Sequence, residues 1–470
     1  MVLAGALLIV AVGLGWLLRP PSELRKLPPR EAVRIENVHV LDPESGIARL
    51  SVVTVREGKI VSVETASAAA PAPKDLRVLD GEGGYLSPGL FDAHVHVFDE
   101  AELAAYLVAG ITTVRNMSGM PFHVERAKEI EAGTLLGPTL YTSGPILNSP
   151  GPNAQVNHAL VLTAEEARTE VHAQHAAGYD FLKVYSNLYA PAYSAVLEEA
   201  RALGMPIAGH SPEGERKAGI PEEAPFEIPL EAVLDDGFQT LEHVETLVWH
   251  GLRDVPSPEG LAELAKKIGA AKVAVTPTLV AHENLVRMAR SRGALAERPG
   301  IETLNPVMWM VDEGSRVFWA SQDPDAREAA RVDVHLELTR RLHEAGVPLV
   351  AGSDAGIFVN IPGASLRREL MLLGRAGLSA DESLEAATSV AAEVLGFEDR
   401  GRIAPGLRAD LVWLRADPRA DLEVFAHPEA VWVDGRRLDR TRLDELEALA
   451  RAPSFLRTLV RALPTLLAGG

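Results

Sequence analysis

The sequence predicts an α/β protein: a (β/α)8, TIM-like barrel with a small β-sandwich module built from the N- and C-terminal segments. Three observations predict it. Residues 86–399 alternate short apolar runs with amphipathic stretches such as TAEEARTEVHAQHAAG and PAYSAVLEEARALG, the pattern of parallel strands joined by helical crossovers. The apolar runs centre on 92–97, 111–115, 138–142, 180–185, 205–210, 238–243, 272–277 and 347–353, enough to close a barrel. Both flanks, residues 32–85 and 400–440, carry β-branched runs of a different kind (VRIENVHVL, LSVVTVREGKIVSVE, EAVWVDGRRL), which suit one antiparallel module made from both ends of the chain.

Taken in order, residues 2–18, VLAGALLIVAVGLGWLL, are apolar without interruption. As a helix they would reach about 26 Å, the short end of a bilayer span. Trp16 sits where an interfacial aromatic would, and Arg19-Pro20-Pro21 ends the run. Residues 1–26 are therefore expected to be a membrane anchor or signal segment. No small-x-small cleavage site follows the apolar core, which favours an uncleaved anchor. The basic residues after it (Arg19, Arg25, Lys26, Arg30) argue for a cytoplasmic C-terminal side, whereas an N-terminal tether favours an enzyme facing outward; an extracytoplasmic, membrane-anchored location is expected. In the flanking module Glu57-Gly58-Lys59 reads as a turn and residues 66–75, rich in Ala and Pro, as a loop. Residues 441–470 read as a helical tail whose last stretch, FLRTLVRALPTLLAGG, is amphipathic and is expected to pack on the barrel.

Composition removes several function classes. The chain of 470 residues has 65 acidic and 46 basic side chains, a net charge of −19, which is the wrong sign for a nucleic-acid binder. It has no cysteine, hence no disulfide, thiolate metal site or cysteine nucleophile. No Gly-x-Ser-x-Gly occurs, so nothing supports a serine hydrolase.

The chemistry-bearing residues lie where apolar strands meet their loops. In Ser87-Pro88-Gly89-Leu90-Phe91-Asp92-Ala93-His94-Val95-His96-Val97, strand alternation puts His94 and His96 on one face. Phe181-Leu182-Lys183-Val184-Tyr185, Ala208-Gly209-His210, Leu241-Glu242-His243 and Val350-Ala351-Gly352-Ser353-Asp354 end the fourth, fifth, sixth and eighth strands. In a barrel those ends converge on one mouth. Nitrogen and oxygen donors of this kind suit Zn²⁺ or a similar divalent ion, and a strand-8 carboxylate beside them can act as ligand and general base. Arg115 and Tyr185 lie beside the predicted site and are candidate substrate contacts. His172 and His175 fall on a helix and read as a solvated face. His123, His158, His282, His335 and His343 fall outside strand ends and read as surface or structural.

These motifs, with Gly110-Ile111-Thr112-Thr113-Val114-Arg115, Gly352-Ser353-Asp354-Ala355-Gly356 and Gly406-Leu407-Arg408-Ala409-Asp410-Leu411, resemble the amidohydrolase superfamily of metal-dependent hydrolases over nearly the whole chain after residue 26. Lys183-Val184-Tyr185 and the Thr-Thr-Val-Arg strand are most similar to its imidazolonepropionase-like and prolidase-like (Xaa-dipeptidase) branch. The resemblance implies a binuclear centre with two divalent ions, zinc the expected metal. His94, His96 and Asp354 would hold one, His210 and His243 the other, and Lys183, carboxylated by CO2, would bridge them. It further implies cleavage of a C–N bond in a small-molecule amide, dipeptide-like compound or cyclic amide by a metal-bridged hydroxide, with Asp354 as general base. A deaminase or an esterase is the alternative on the same scaffold, and a non-catalytic barrel is the alternative outside enzymes. After the third strand, Asn148-Ser149-Pro150-Gly151-Pro152-Asn153 stands where dipeptidase-like relatives carry a substrate-recognising Gly-Gly-His, which argues against dipeptides. Two enlarged loops, 211–229 and 281–335, are the expected specificity elements.

Overall fold

The computed structural model describes residues 17–468, apart from 75, 153, 156, 217–224 and 326. The barrel is built as the alternation dictates. Strands Leu90–Val95, Ile111–Asn116 and Thr139–Thr142 pair in parallel, and Leu182–Val184, Ile207–Gly209, Thr240–Glu242 and Ala274–Thr276 form a second parallel run. A bridge from Ser143 to Phe181 joins the two runs. The eighth stretch is less regular: Leu349 bridges Val275, Ala355 bridges Val95, and the Ala93 amide donates to the Ala351 carbonyl at 2.9 Å. Those contacts close the circle. Every residue of Leu90–Val95 and Ile111–Asn116 is buried, as strands covered on both faces must be.

The flanking segments meet in a separate eight-stranded sheet. Strand Leu411–Leu414 runs antiparallel to Tyr85–Pro88, which lies beside Val33–Asp42, so residues more than 300 positions apart share one ladder. Val33, Ile35, Val53, Val55, Leu411 and the fully buried Trp432 fill its core. Tyr85–Pro88 leads through Gly89 directly into the first barrel strand, which fixes the module at the base of that strand.

The membrane expectation is overturned. Among the described residues no helix is long and apolar enough to cross a membrane. Residues 1–16, most of the apolar run, lie outside the described residues. The described segment from Leu17 onwards packs into the fold. Leu24 is fully buried and its carbonyl accepts from the Leu136 amide at 2.7 Å. The guanidinium groups of Arg457 and Arg461 donate to the carbonyls of Arg19 (3.1 Å) and Leu18 (3.3 Å). Those arginines sit on the C-terminal helix Phe455–Ala468 and also clamp Asp99 and Glu100, just beyond the first barrel strand.

Residues 281–335 are largely helical instead of a loop: Leu279–Arg290, Pro306–Val311, Glu313–Ser321 and the start of Arg327–Glu344. The apolar spacing of Leu285, Met288 and Trp319, which pack on Phe358 and Val359, explains the helices. In the other enlarged loop, residues 217–224 lie outside the described residues.

Candidate metal centre

Four of the six expected ligands are tied to one another by direct contacts at the barrel mouth, and the other two adjoin them through their rings. His94 Nε2 lies 3.3 Å from Asp354 Oδ1 and 3.3 Å from Lys183 Nζ, and His96 Nε2 lies 3.0 Å from the same Asp354 oxygen. The His94 ring is 4.6 Å from that of His243, which is 4.5 Å from that of His210. Two of these residues hold strained backbones. His243 has φ 66° and Asp354 φ 54°, positions a non-glycine residue keeps only where its surroundings impose them. Gly356 (φ 104°) shows how tightly the eighth loop is drawn in: a Cβ there would lie 1.8 Å from the His96 carbonyl oxygen.

The electrostatics suit metal binding. Burial lowers the pKa of His94, His96 and His210 and pushes His243 down to about 4, so all four imidazoles are neutral at pH 7 with a lone pair to offer. Burial works against the Asp354 charge, but the His96 hydrogen bond and the surrounding rings outweigh it and hold the carboxyl far below the usual range. Burial also pushes Lys183, 1 % exposed, down to about 8, and among the described residues no carboxylate lies within 4.0 Å of it. His94, His96 and Asp354 offer three ligand atoms within 4.8 Å of one another. His96 Nδ1 and His210 Nδ1 are buried with no hydrogen-bond partner among the described residues. This donor set fits a divalent ion.

Behind His94 lies a buried relay that the sequence did not reveal. His94 Nδ1 donates to Glu242 Oε2 at 2.7 Å, and Glu242 Oε1 accepts from Arg115 Nη2 at 2.6 Å. Arg115 also donates to the Ala93 carbonyl (2.6 Å), Thr240 Oγ1 (2.7 Å) and Thr276 Oγ1 (3.2 Å). It is fully buried and does not line the cavity. The expectation of Arg115 as a substrate contact is therefore corrected: alternation turns it inward, but one layer below the mouth, where it orients Glu242 and through it His94. Asp92 does similar work on the eighth stretch, accepting from Ser353 N (2.9 Å) and Ser353 Oγ (2.5 Å); burial raises its carboxyl to about 7.

A cavity of about 950 Å³ opens above the centre. His96, Lys183, His210, His243 and Asp354 reach it, as does Tyr185, whose ring lies 4.0 Å from that of His210. Trp249, Leu285, Met308, Trp319 and Phe358 make much of its wall, and Thr458 and Ala462 add the C-terminal helix. Three histidines expected to be surface or structural, His158, His282 and His335, also line it. His158 is the most informative. Its Nδ1 faces the Gln155 backbone amide (3.4 Å), a group that can only donate, and the Asn148 amide nitrogen (3.1 Å). Its proton therefore sits on Nε2, which is buried and has no partner among the described residues. The run Asn157-His158-Ala159-Leu160 just past the third-strand loop was the available signal. By contrast His172 pairs with Glu199 on an exposed helix face, as expected, and His123 is a core group bonded to the Val97 carbonyl.

Comparison with known proteins gives the family and the fold. Imidazolonepropionase of Stenotrophomonas maltophilia is 27% identical over 414 residues, 82% of this chain and 91% of that protein. The solved structure of a bottromycin amidohydrolase is 26% identical with a TM-score of 0.73, covering 93% of this chain and 94% of that one. A Xaa-Pro dipeptidase, 19% identical with a TM-score of 0.64, shares the fold over 87% of this chain and all of its own (100%). Residues 85–438 match the amidohydrolase family. With its imidazolonepropionase-like and prolidase-like resemblance, the chain belongs to the amidohydrolase family, hydrolases that act on carbon–nitrogen bonds.

Proposed function

We propose that the chain is a metal-dependent hydrolase of a bulky, largely apolar amide or cyclic amide. One observation carries this reading: His94, His96 and Asp354 bring three ligand atoms within 4.8 Å at the floor of a cavity of about 950 Å³. His94, His96 and Asp354 would hold one divalent ion, His210 and His243 a second, with zinc the expected metal. Lys183 would lie between the two as a carbamate formed with CO2, because a buried ammonium with no carboxylate partner is repelled by cations whereas a carbamate is attracted. When bound, such ions supply an activated water and polarise the scissile carbonyl.

The chain's own residues do the rest. Asp354, an ionised carboxylate facing the cavity, is placed to take a proton from the attacking water and return it to the leaving nitrogen. His158 presents its Nε2 proton to an oxygen of the substrate, a donor that otherwise stays unsatisfied. Trp249, Met308, Trp319 and Phe358 exclude water and favour aromatic or long acyl groups over small dipeptides.

The test is a screen of purified protein against N-acyl amino acids, dipeptides, lactams and esters, before chelation, after it, and after zinc is returned. Hydrolysis of an amide or lactam bearing an aromatic or long acyl group is expected, lost on chelation and restored by zinc. Turnover that ignores the chelator, or that is confined to esters, would defeat the proposal.

A further inference from the structure

A second cavity, of about 410 Å³, lies between helix Leu279–Arg290, residues 298–299 and helix Ala364–Arg375. Four guanidinium groups line it, those of Arg287, Arg298, Arg367 and Arg368, against one carboxylate, Glu423. On a chain with a net charge of −19 this is a local reversal of sign. Two of the four are balanced. Arg368 is held by both oxygens of Glu283, at 2.5 and 2.7 Å, and Arg367 lies 3.4 Å from Glu423. Arg287 and Arg298 have no carboxylate within 4.0 Å among the described residues.

Their other bonds leave donors over. Arg287 donates to Asn284 Oδ1 at 3.1 Å, and Arg298 Nη2 to the Val359 carbonyl at 2.6 Å. Arg298 Nη1 and Arg367 Nε are buried and have no hydrogen-bond partner among the described residues. Burial and the like charge of Arg287 push Arg298 down to about 10, which leaves it cationic at neutral pH. Crowded like charges and unsatisfied buried N–H groups both cost stability, and both costs are removed by an anion that accepts several hydrogen bonds. Guanidinium forks are matched to oxyanions, which they bind with two parallel bonds.

We propose that this cavity binds a small multivalent oxyanion, phosphate-like or dicarboxylate in chemistry, with Arg287 and Arg298 as its principal ligands. The site is separate from the substrate cavity, although Asn284, in its wall, donates to Asn360, which donates in turn to the Asp354 carbonyl.

The test is calorimetric titration of the full chain with sodium phosphate and with sodium malonate, each against chloride at matched ionic strength. Saturable binding of at least one of the two is expected, and their ratio of affinities tells which oxyanion chemistry the site prefers. Arg287→Gln and Arg298→Gln should each weaken binding about tenfold, the loss of one charge-assisted contact. Glu423→Gln, a change at the rim of the cavity, should tighten it severalfold by removing the lining carboxylate. Binding of neither anion beyond chloride would overturn the proposal. So would affinities that none of the three variants moves, the result expected if phosphate bound at the candidate metal centre. If an arginine variant fails to fold, an unchanged affinity in Glu423→Gln is enough to reject the site.

Discussion

The two halves of the candidate centre are held in different ways. Around His94 the support is polar and buried. Arg115 fixes Glu242, Glu242 fixes His94 Nδ1, and the Asp354 amide donates to the His94 carbonyl at 2.7 Å. Around His210 and His243 the support is lighter. His243 Nδ1 meets the Thr278 hydroxyl, at 2.6 Å, and His210 rests on the Tyr185 ring with its Nδ1 unpartnered among the described residues. Behind His210, His250 bonds Ser211 Oγ (2.7 Å) and the Ile228 carbonyl (2.8 Å) as a neutral ring. The first half is fixed by a chain of buried hydrogen bonds and the second by fewer of them. Preorganised supports of the first kind set affinity and geometry together.

Substitutions on either side put that contrast to the test. Asp354→Ala removes the carboxylate that both His94 and His96 face, and kcat/KM should fall about 10³-fold or more, with loss of bound metal. A variant that kept a tenth of the activity would show that Asp354 is not the proton acceptor. The second comparison sets the two supports against each other. Glu242→Gln should weaken metal binding by about 10- to 100-fold, since it removes the acceptor that fixes His94. Thr278→Val, at the lighter support, should cost only severalfold. Equal losses in metal titrations of the two variants would erase the proposed difference.

A separate effect, on stability, is expected from pH. Burial pushes the His250 ring down to about 4, whereas in the unfolded chain it titrates near 6.5. Between those values the unfolded chain binds a proton that the folded chain refuses, so the stability His250 contributes is present above 6.5 and lost as pH falls towards 4. His250→Gln does not titrate there. The stability advantage of the wild type over this variant should therefore shrink by about 2–3 kcal/mol between pH 7 and pH 4.5 in denaturant unfolding. A pH-independent difference would mean that the ring is not held neutral.

Geometry decides how much of this was legible in the sequence. His94 and His96 were, because a strand's period of two is local, and the strand-end rule of a barrel carries Lys183, His210, His243 and Asp354 to the same mouth. Depth along the barrel axis is not local. Arg115 alternates inward as its neighbours do, yet sits in the layer of Thr240, Glu242 and Thr276, which only the stagger of the strands decides. His158 escaped because it opens a short strand, His158–Leu160, paired in parallel with Ile146–Asn148, that the spacing of the apolar runs does not mark. The apolar N-terminal run misled for a related reason: hydropathy cannot foresee that Arg457 and Arg461, from the far end of the chain, take the carbonyls of Arg19 and Leu18.

Elemental analysis of chelator-free protein is the sharpest test of the proposed two-metal centre and of its dependence on Lys183. The wild type should carry about two divalent ions per chain, with zinc predominant. Lys183→Ala should lose most of that metal and most of its turnover, and a short carboxylic acid added in solution should restore part of both by placing a carboxylate where the carbamate stood. Active wild-type protein with a metal content near zero, or a Lys183→Ala variant that keeps two ions and a near-normal rate, would contradict the account.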